Sequence, residues 1–222
     1  MGVFIIIITI DGPAGAGKST VAKKLASILN YTYLDTGAMY RAFTLKIIRK
    51  EIKLNDIEKI SELLKNTVID IRKDRIFLDG EDVTETIREP LVDKHVSLVA
   101  SIPEVRSKMM ELQRVIAKGK SIVAEGRDMG TQVFPFAEIK FYMDASLEER
   151  ARRRFSDLIK KNKNLTYDEV KADIEERDRR DKERIISPLR KPKDAIVMDT
   201  TGKTIEEVVS DMLNIIKKKR GD

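Results

Sequence analysis

The residues best suited to chemistry lie in one glycine-rich segment near the N-terminus. Gly12-Pro13-Ala14-Gly15-Ala16-Gly17-Lys18-Ser19 fits the pattern G-x-x-x-x-G-K-[ST], which occurs once in the chain. In such a segment the glycines let backbone N–H groups turn inward around phosphate oxygens. The lysine reaches the β- and γ-phosphates, and the serine hydroxyl ligates Mg²⁺. The pattern therefore predicts a site for Mg²⁺ and a nucleoside triphosphate such as ATP, with contacts from Gly12 to Thr20.

Arginines crowd three further parts of the chain, and phosphoryl transfer needs positive charge around the group that moves. On a helix, Val170, Ile174, Arg177, Asp181 and Arg184 share one face. That face begins apolar, so the charges that continue it require partners where they are buried. Two interpretations of these charged residues stay open. They either bind a ligand in a functional site or form a ladder of ion pairs within one helix.

A second group of arginines belongs to a predicted helix at residues 147–159. Arg150, Arg153 and Arg154 face away from its apolar stripe, which runs from Leu147 to Leu158. They form either a solvated face or a lid that closes over the triphosphate and excludes water.

Charged side chains also stand where predicted strands end. Arg127 and Asp128 follow a strand at residues 121–125, and Asp35 closes a strand at residues 31–35. α/β sheets bind ligands at the carboxyl ends of their strands. The carboxylates there suit three roles: metal coordination through water, a helix cap, or contact with a substrate.

The elements that position these residues alternate between strands and helices. Strands are predicted at residues 5–10, 31–35, 121–125, 138–144 and 195–199, and helices at 19–29, 37–50, 90–99 and 103–118. Capping boxes at Ser146, Thr166 and Thr204 mark three more helix starts. Residues 66–80 read as a small antiparallel hairpin that turns at Lys73 and Asp74. The order predicts an α/β fold with a parallel sheet.

Composition narrows the class of protein. The chain has 222 residues and no cysteine, which excludes disulfides and thiolate metal sites. Its single histidine, His95, argues against a Ser/His triad. The net charge of +6 favours anionic partners, but aromatic residues make up only 5% and tryptophan is absent, which argues against nucleic acid. The apolar run at residues 5–10 is too short to span a membrane. We expect a cytoplasmic monomer.

Five blocks of sequence, taken together, resemble the bacterial cytidylate kinases. They are residues 10–20 (IDGPAGAGKST), 34–41 (LDTGAMYR), 125–131 (EGRDMGT), 144–151 (DASLEERA) and 177–184 (RDRRDKER). The first block is shared by many nucleotide-binding proteins, whereas the other four are specific to this family. The resemblance implies a P-loop kinase fold: a core at 1–36 and 106–222, an inserted unit for the nucleoside monophosphate at 37–105, and a short helical lid at 150–166.

The resemblance also implies a role for individual residues. It assigns cytosine contacts to Thr36, Ser97, Arg106 and Asp128, the acceptor phosphate to Arg41, Arg127 and Arg184, the sugar to Arg177 and Asp181, catalysis to Lys18 with Arg127, Arg184 and the lid residues Arg153 and Arg154, and the metal to Ser19. Two positions depart from the usual pattern. Thr36 stands where serine is common, and Glu125 stands where aspartate is common. His95 is expected to be structural.

The implied activity is ATP-dependent, Mg²⁺-assisted phosphorylation of CMP and dCMP. Three alternatives stay open at this point. The acceptor could instead be UMP, AMP or shikimate; the chain could be a basic ATPase acting on nucleic acid; or it could bind a nucleotide without catalysis. Salt-sensitive RNA binding would distinguish the second alternative, and absence of transfer the third.

Overall fold

Strands and helices alternate through most of residues 5–72, 75–160 and 165–220, which the computed structural model describes. The strands are β1 (Ile7–Asp11), β2 (Thr32–Asp35), β3 (Ile69–Arg72), β4 (Arg75–Leu78), β5 (Glu81–Asp82), β6 (Ile122–Gly126), β7 (Ile139–Asp144) and β8 (Ile196–Asp199). The helices are α1 (Lys18–Leu29), α2 (Thr36–Arg49), α3 (Ile57–Lys65), α4 (Pro90–Val99), α5 (Pro103–Ala117), α6 (Leu147–Ile159), α7 (Tyr167–Glu183) and α8 (Ile205–Arg220). A 3₁₀ turn covers Thr86–Arg88 and a π-helical turn covers Met129–Val133.

The main sheet has the strand order β2-β6-β1-β7-β8, and every neighbouring pair is parallel. The α/β fold with a central parallel sheet is therefore confirmed. In the register of the sheet, Asp11 pairs with Gly126 and Asp35 pairs with Glu125. The carboxyl ends of β1, β2 and β6 thus meet at one edge, beside the glycine-rich segment that follows β1.

Helices cover both faces of this sheet because its strands are apolar on both sides. Ile8 and Ile10 point to the layer that contains α1 and α8, and Val123 joins them there. Ile122 and Ala124 point to the opposite layer, which contains α2, α4 and α5. This alternation explains why the strands read as uninterrupted apolar runs.

The hairpin expected at residues 66–80 is confirmed as β3 and β4, which pair antiparallel. The two residues predicted at its turn, Lys73 and Asp74, lie outside the described residues. A two-residue strand, β5, adds to β4. Helix α3 was not predicted; it begins after Asp56, whose carboxylate accepts the N–H of Lys59. The apolar side chains of the small sheet join the same hydrophobic cluster as α2.

Two of the three predicted capping boxes are complete. Thr166 and Thr204 each exchange hydrogen bonds with the glutamate three residues on. Ser146 accepts the N–H of Glu149, but the carboxylate of Glu149 pairs with Arg152 and Arg153 and does not return to the cap. The carboxylate of Glu149 therefore binds the two arginines and not the N–H of Ser146, so only one of the two capping hydrogen bonds forms.

Helices α6 and α7 pack against each other through Ala151, Leu158, Val170 and Ile174. Most of α6 falls within the expected lid at 150–166, whereas α7 begins directly after it. Residues 161–164 of that range lie outside the described part. Among the described residues, no helix is long and apolar enough to cross a bilayer.

Candidate active site

The glycine-rich segment forms a loop between β1 and α1, and its glycines are required by geometry. Gly12 has φ of 150°, and a Cβ there would lie 2.0 Å from the carbonyl oxygen of Met143. Gly17 has φ of 87° and stands at the N-cap of α1, in the left-handed region that favours glycine. No side chain among the described residues caps this helix. Its first N–H groups and the positive end of its dipole are therefore available to an anion.

Lys18 is held inside the loop. Its Nζ donates to the carbonyl of Pro13 at 2.6 Å, and the residue is only 5% exposed. Burial, together with the neighbouring Arg127, lowers the pKa of Lys18 to about 7, while Glu125 opposes that shift. An anionic phosphate in the loop would restore the charge, so this lysine is poised to respond to a bound triphosphate.

Ser19 lies next to a strand-end carboxylate. Its Oγ donates to Oε1 of Glu125 at 2.6 Å, and the Tyr33 hydroxyl lies 3.4 Å from the same oxygen. Burial, and then the nearby charge of Asp35, raise the pKa of Glu125. Asp35 itself caps α2 by accepting the N–H of Ala38 at 2.8 Å. Of its three suggested roles, the structure therefore supports the helix cap.

These oxygens match the chemistry of a hard cation such as Mg²⁺. The match is partial, because no group of three or more His, Asp or Glu side chains placed to hold a metal occurs in the described part of the chain. The hydroxyl of Ser19 and the carboxylate of Glu125 could provide oxygen ligands on only one side of such a cation. Nucleotide phosphates and water would have to complete the coordination.

Most of the residues expected to contact the acceptor line one small cavity of about 70 Å³. They are Thr36, Ser97, Arg106, Arg127, Asp128, Arg177, Asp181 and Arg184. A larger cleft of about 590 Å³ adjoins it, lined by the phosphate loop, Arg41, Arg153 and Arg154. Both cavities are bordered by Arg127 and Arg177. The structure thus brings the predicted residues together around two connected spaces.

Ion pairs order the charges of the small cavity. Arg106 contacts Asp128 at 2.5 Å, with both side chains 2% exposed. Arg127 contacts Asp181 at 2.8 Å, and Arg184 contacts Asp181 at 3.3 Å. Burial alone would raise the pKa of Asp181, but Arg127, Arg177 and Arg184 hold it below its ordinary value. The inward stripe of α7 therefore finds partners in Arg127 and Asp128, which directly follow β6, so the ladder within one helix is only part of the arrangement.

Several polar atoms in this cavity are buried and have no hydrogen-bond partner among the described residues. They are Oγ of Ser97, Nε of Arg106, Nε of Arg177, Nη2 of Arg184 and the hydroxyl of Tyr40. Buried groups of this kind are uncommon and call for an explanation such as a bound ligand. Burial, with the nearby charge of Arg127, lowers the pKa of Arg177 to about 10. Thr36 differs, since its hydroxyl donates to the carbonyl of Glu125 at 2.7 Å.

Three arginines of the larger cleft, Arg41, Arg153 and Arg154, are already paired. Arg41 contacts Asp93 of α4 at 2.5 Å, and Arg154 contacts the other oxygen of that carboxylate at 2.9 Å. Arg153 donates to the hydroxyl and carbonyl of Thr200. Asp93 was not identified from the sequence. The signal was its spacing, because it precedes Ser97 by one helical turn on the same face of α4.

A second pair missed by the sequence joins α6 to α7. Arg150, expected to face away from the packed side of its helix, is instead 8% exposed and pairs with the buried Asp178. Periodicity could not reveal this, because the partners lie on different helices. His95 behaves as expected, with Nδ1 placed 2.8 Å from the carbonyl of Leu91 within α4.

Comparison with known proteins gives a consistent set of relatives. Residues 8–218 match the family model described as cytidylate kinase. The cytidylate kinase of Caldanaerobacter subterraneus subsp. tengcongensis is 54% identical over 211 residues, covering 95% of this chain and 94% of the relative. That of Carboxydothermus hydrogenoformans is 52% identical over 217 residues, covering 96% of this chain and 97% of the relative. A crystal structure of an uncharacterized protein from Eubacterium ventriosum aligns with a TM-score of 0.52 at 14% identity. It covers 96% of this chain and 98% of that one, and this likeness bears on the fold alone.

Proposed function

Since the chain belongs to the cytidylate kinase family, we propose that it transfers the γ-phosphoryl group of ATP to CMP and dCMP. The products are ADP and CDP or dCDP. The observation that carries this proposal is the meeting of two cavities: a phosphate loop with free helix N–H groups borders one, and a cavity with unpartnered polar atoms adjoins it. A donor and an acceptor nucleotide would meet between them, beside Arg127.

Cytosine recognition rests on the chemistry around Asp128 and Arg106. The N4 amino group of cytosine is a donor, and a carboxylate or hydroxyl oxygen of Asp128 or Ser97 can accept from it. The N3 and O2 atoms of the base are acceptors, and the unpartnered Nε of Arg106 can donate to one of them. The hydroxyl of Thr36, already donating to Glu125, keeps its lone pairs for the same amino group.

The transfer itself needs charge and position more than covalent chemistry. An oxygen of the acceptor phosphate attacks the γ-phosphorus while the bond to the β–γ bridging oxygen breaks, and ADP carries away the electron pair. The attacking oxygen is already anionic, so no general base is required. Arg41, Arg127 and Arg184 would hold the acceptor phosphate, with Arg177 and Asp181 on the sugar. Lys18, with the lid residues Arg153 and Arg154, would stabilise the charge on the group in transit.

Mg²⁺ with ATP is the cofactor we propose, and its charge would offset that of the triphosphate oxygens. The hydroxyl of Ser19 would be its protein ligand, next to the carboxylate of Glu125. We also propose that residues 37–105 act as the acceptor-binding unit and 150–166 as the lid. We further propose that the protein is a monomer that acts in the cytoplasm and needs no nucleic acid.

The test is ADP formation from ATP and Mg²⁺ with CMP, dCMP, UMP, AMP, GMP, shikimate, RNA or no acceptor. We expect strong turnover with CMP and dCMP, weak turnover with UMP, and background rates with the others. Asp128→Asn should weaken CMP selectivity over UMP, whereas Asp168→Asn, an exposed carboxylate on α7, should leave it unchanged. Equal rates with RNA or without acceptor would overturn the proposal.

A further inference from the structure

Both peptide groups of one phosphate-loop residue are held by a buried ion pair. The N–H of Ala14 donates to Oδ1 of Asp178 at 3.0 Å, and the carbonyl of Ala14 accepts from Nη1 of Arg150 at 3.0 Å. The same Nη1 pairs with the other oxygen of Asp178. Arg150 lies on α6 and Asp178 on α7, so the two helices and the loop share one hydrogen-bonded ring.

Packing fixes the loop at the same point. The methyl group of Ala14 belongs to the hydrophobic cluster formed by α6 and α7, beside Ala151, Val170 and Ile174. A Cβ on the next residue, Gly15, would come within 3.1 Å of Arg150. The tip of the phosphate loop is therefore inserted between the two helices.

The pair is buried deeply enough to be rigid. Arg150 is 8% exposed and Asp178 is 5% exposed. The Nε of Arg150 also donates to the carbonyl of Ala145 at 3.0 Å. A buried polar network whose members are satisfied restricts its groups to one arrangement, and removal of one partner leaves a costly unpaired charge.

The position of the pair along its helices links it to side chains that we propose stabilise the group in transit or hold the CMP sugar. Arg153 and Arg154 follow Arg150 by about one turn of α6. On α7, Arg177 directly precedes Asp178, and Asp181 follows it by about one turn. A shift of the pair would displace these side chains relative to the loop N–H groups.

We infer that Arg150 and Asp178 are positioning residues for phosphoryl transfer, which set the phosphate loop and the arginines of α6 and α7 in one register. Neither residue lines the two cavities in the described part of the chain, so they act through the peptide groups of Ala14. The inference rests on the proposed function for the transfer step, but its effect on triphosphate binding does not depend on which acceptor is used.

The main test compares Asp178→Asn with Glu148→Gln. Both changes remove one negative charge and keep the side-chain shape, and both break an ion pair between α6 and α7. Glu148 pairs with Lys171 at the surface, whereas the side chains that bond the Ala14 peptide groups are Asp178 and Arg150. We expect Asp178→Asn to weaken ATP-Mg²⁺ binding by about tenfold in calorimetry and to lower kcat by up to about 100-fold, as for small misplacements of reacting groups. Because the hydrogen bonds of the pair are made to the phosphate loop, CMP affinity should fall by a smaller factor than ATP affinity, and Glu148→Gln should change neither affinity.

Equal losses of ATP and CMP affinity would indicate general destabilisation and overturn the inference. So would an ATP affinity matching that of the control. If Asp178→Asn does not fold, Arg150→Lys, which keeps the charge, should give a smaller loss of the same kind. Hydrogen exchange on the unaltered protein tests the geometry directly: the Ala14 amide should be protected without nucleotide, and exchange at the rate of an open loop would refute the pairing.

Discussion

The carboxylate of Asp93 offers a sharp test, because it occupies two arginines that we assign to phosphates. Its two oxygens contact Arg41 and Arg154, and burial is outweighed by these cations, which hold the pKa of Asp93 below its usual range. A phosphate that binds Arg41 must take the place of this carboxylate. Asp93→Asn removes the competing charge, so we expect the variant to bind CMP more tightly.

The expected magnitude follows from the exposure of the groups. The side chain of Asp93 is 21% exposed, and those of Arg41 and Arg154 are 11% and 36% exposed. Ion pairs that remain in contact with water contribute about 0.2–1 kcal/mol each. Two such pairs amount to about 0.5–2 kcal/mol, which corresponds to a decrease of about 2- to 30-fold in KM for CMP.

Initial rates at varied CMP and saturating ATP measure this effect. Asp157→Asn is the matched control, since Asp157 lines the same cleft but is not an ion-pair partner of Arg41 or Arg154 among the described residues. The difference between the variants should narrow as salt screens the charges. A higher KM for CMP in Asp93→Asn would refute the reasoning, because it would mean that Asp93 orients Arg41 for the phosphate.

Three further changes test other parts of the site. Burial lowers the pKa of Lys18 to about 7, so the free enzyme loses this positive charge as the pH rises. The KM for ATP should therefore increase above about pH 7. Calorimetry in two buffers should detect the uptake of a proton when ATP binds. Arg106→Met strands the buried Asp128 and should lower the free energy of unfolding in urea by about 3–5 kcal/mol, whereas adding Asp128→Leu should restore much of it without activity. Burial raises the pKa of Asp11 to about 7. The stabilisation that this carboxyl provides when protonated should therefore be lost as the pH rises from about 4 to about 7. Asp11→Asn should flatten the pH dependence of the free energy of unfolding between these values, and an unchanged pH profile would contradict this prediction.

Local patterns in the sequence predicted most elements of the fold. The β-branched run before the glycine-rich loop predicted β1, and the apolar periodicity after it predicted α1. Capping residues marked the starts of α7 and α8. In each case the signal depends on a few neighbouring residues, so no knowledge of the tertiary structure was needed.

The missed elements depend on contacts that the sequence does not display. Helix α3 has nine residues in a charged stretch, and its buried face is defined by only Ile60 and Leu64. Strand β5 has two residues and is recognisable only through its pairing with β4. Short elements of this kind are formed by their surroundings more than by their own propensity.

The candidate site shows the same division. Resemblance to a family supplied Ser97 and Arg106, which spacing alone did not single out. Asp93 and the pair Arg150–Asp178 escaped both approaches, because their significance lies in contacts between distant helices and the loop. Helical periodicity placed Arg150 away from the packed face of α6, because its buried partner Asp178 lies on another helix.

The central place of β1 in the sheet bears on how the nascent chain matures during translation. Its two neighbours, β6 and β7, begin at Ile122 and Ile139. At about 5–20 residues per second, roughly 7–27 s separate the synthesis of Asp11 from that of Asp144. Until β6 and β7 have both been made, the loop sequence is complete but the sheet that holds it is not, so we expect nucleotide binding to follow the first stage of folding. Before β6 is made, the isoleucine run of β1 has neither of its neighbouring strands, and unpaired apolar strands of this kind make an incomplete chain prone to aggregation.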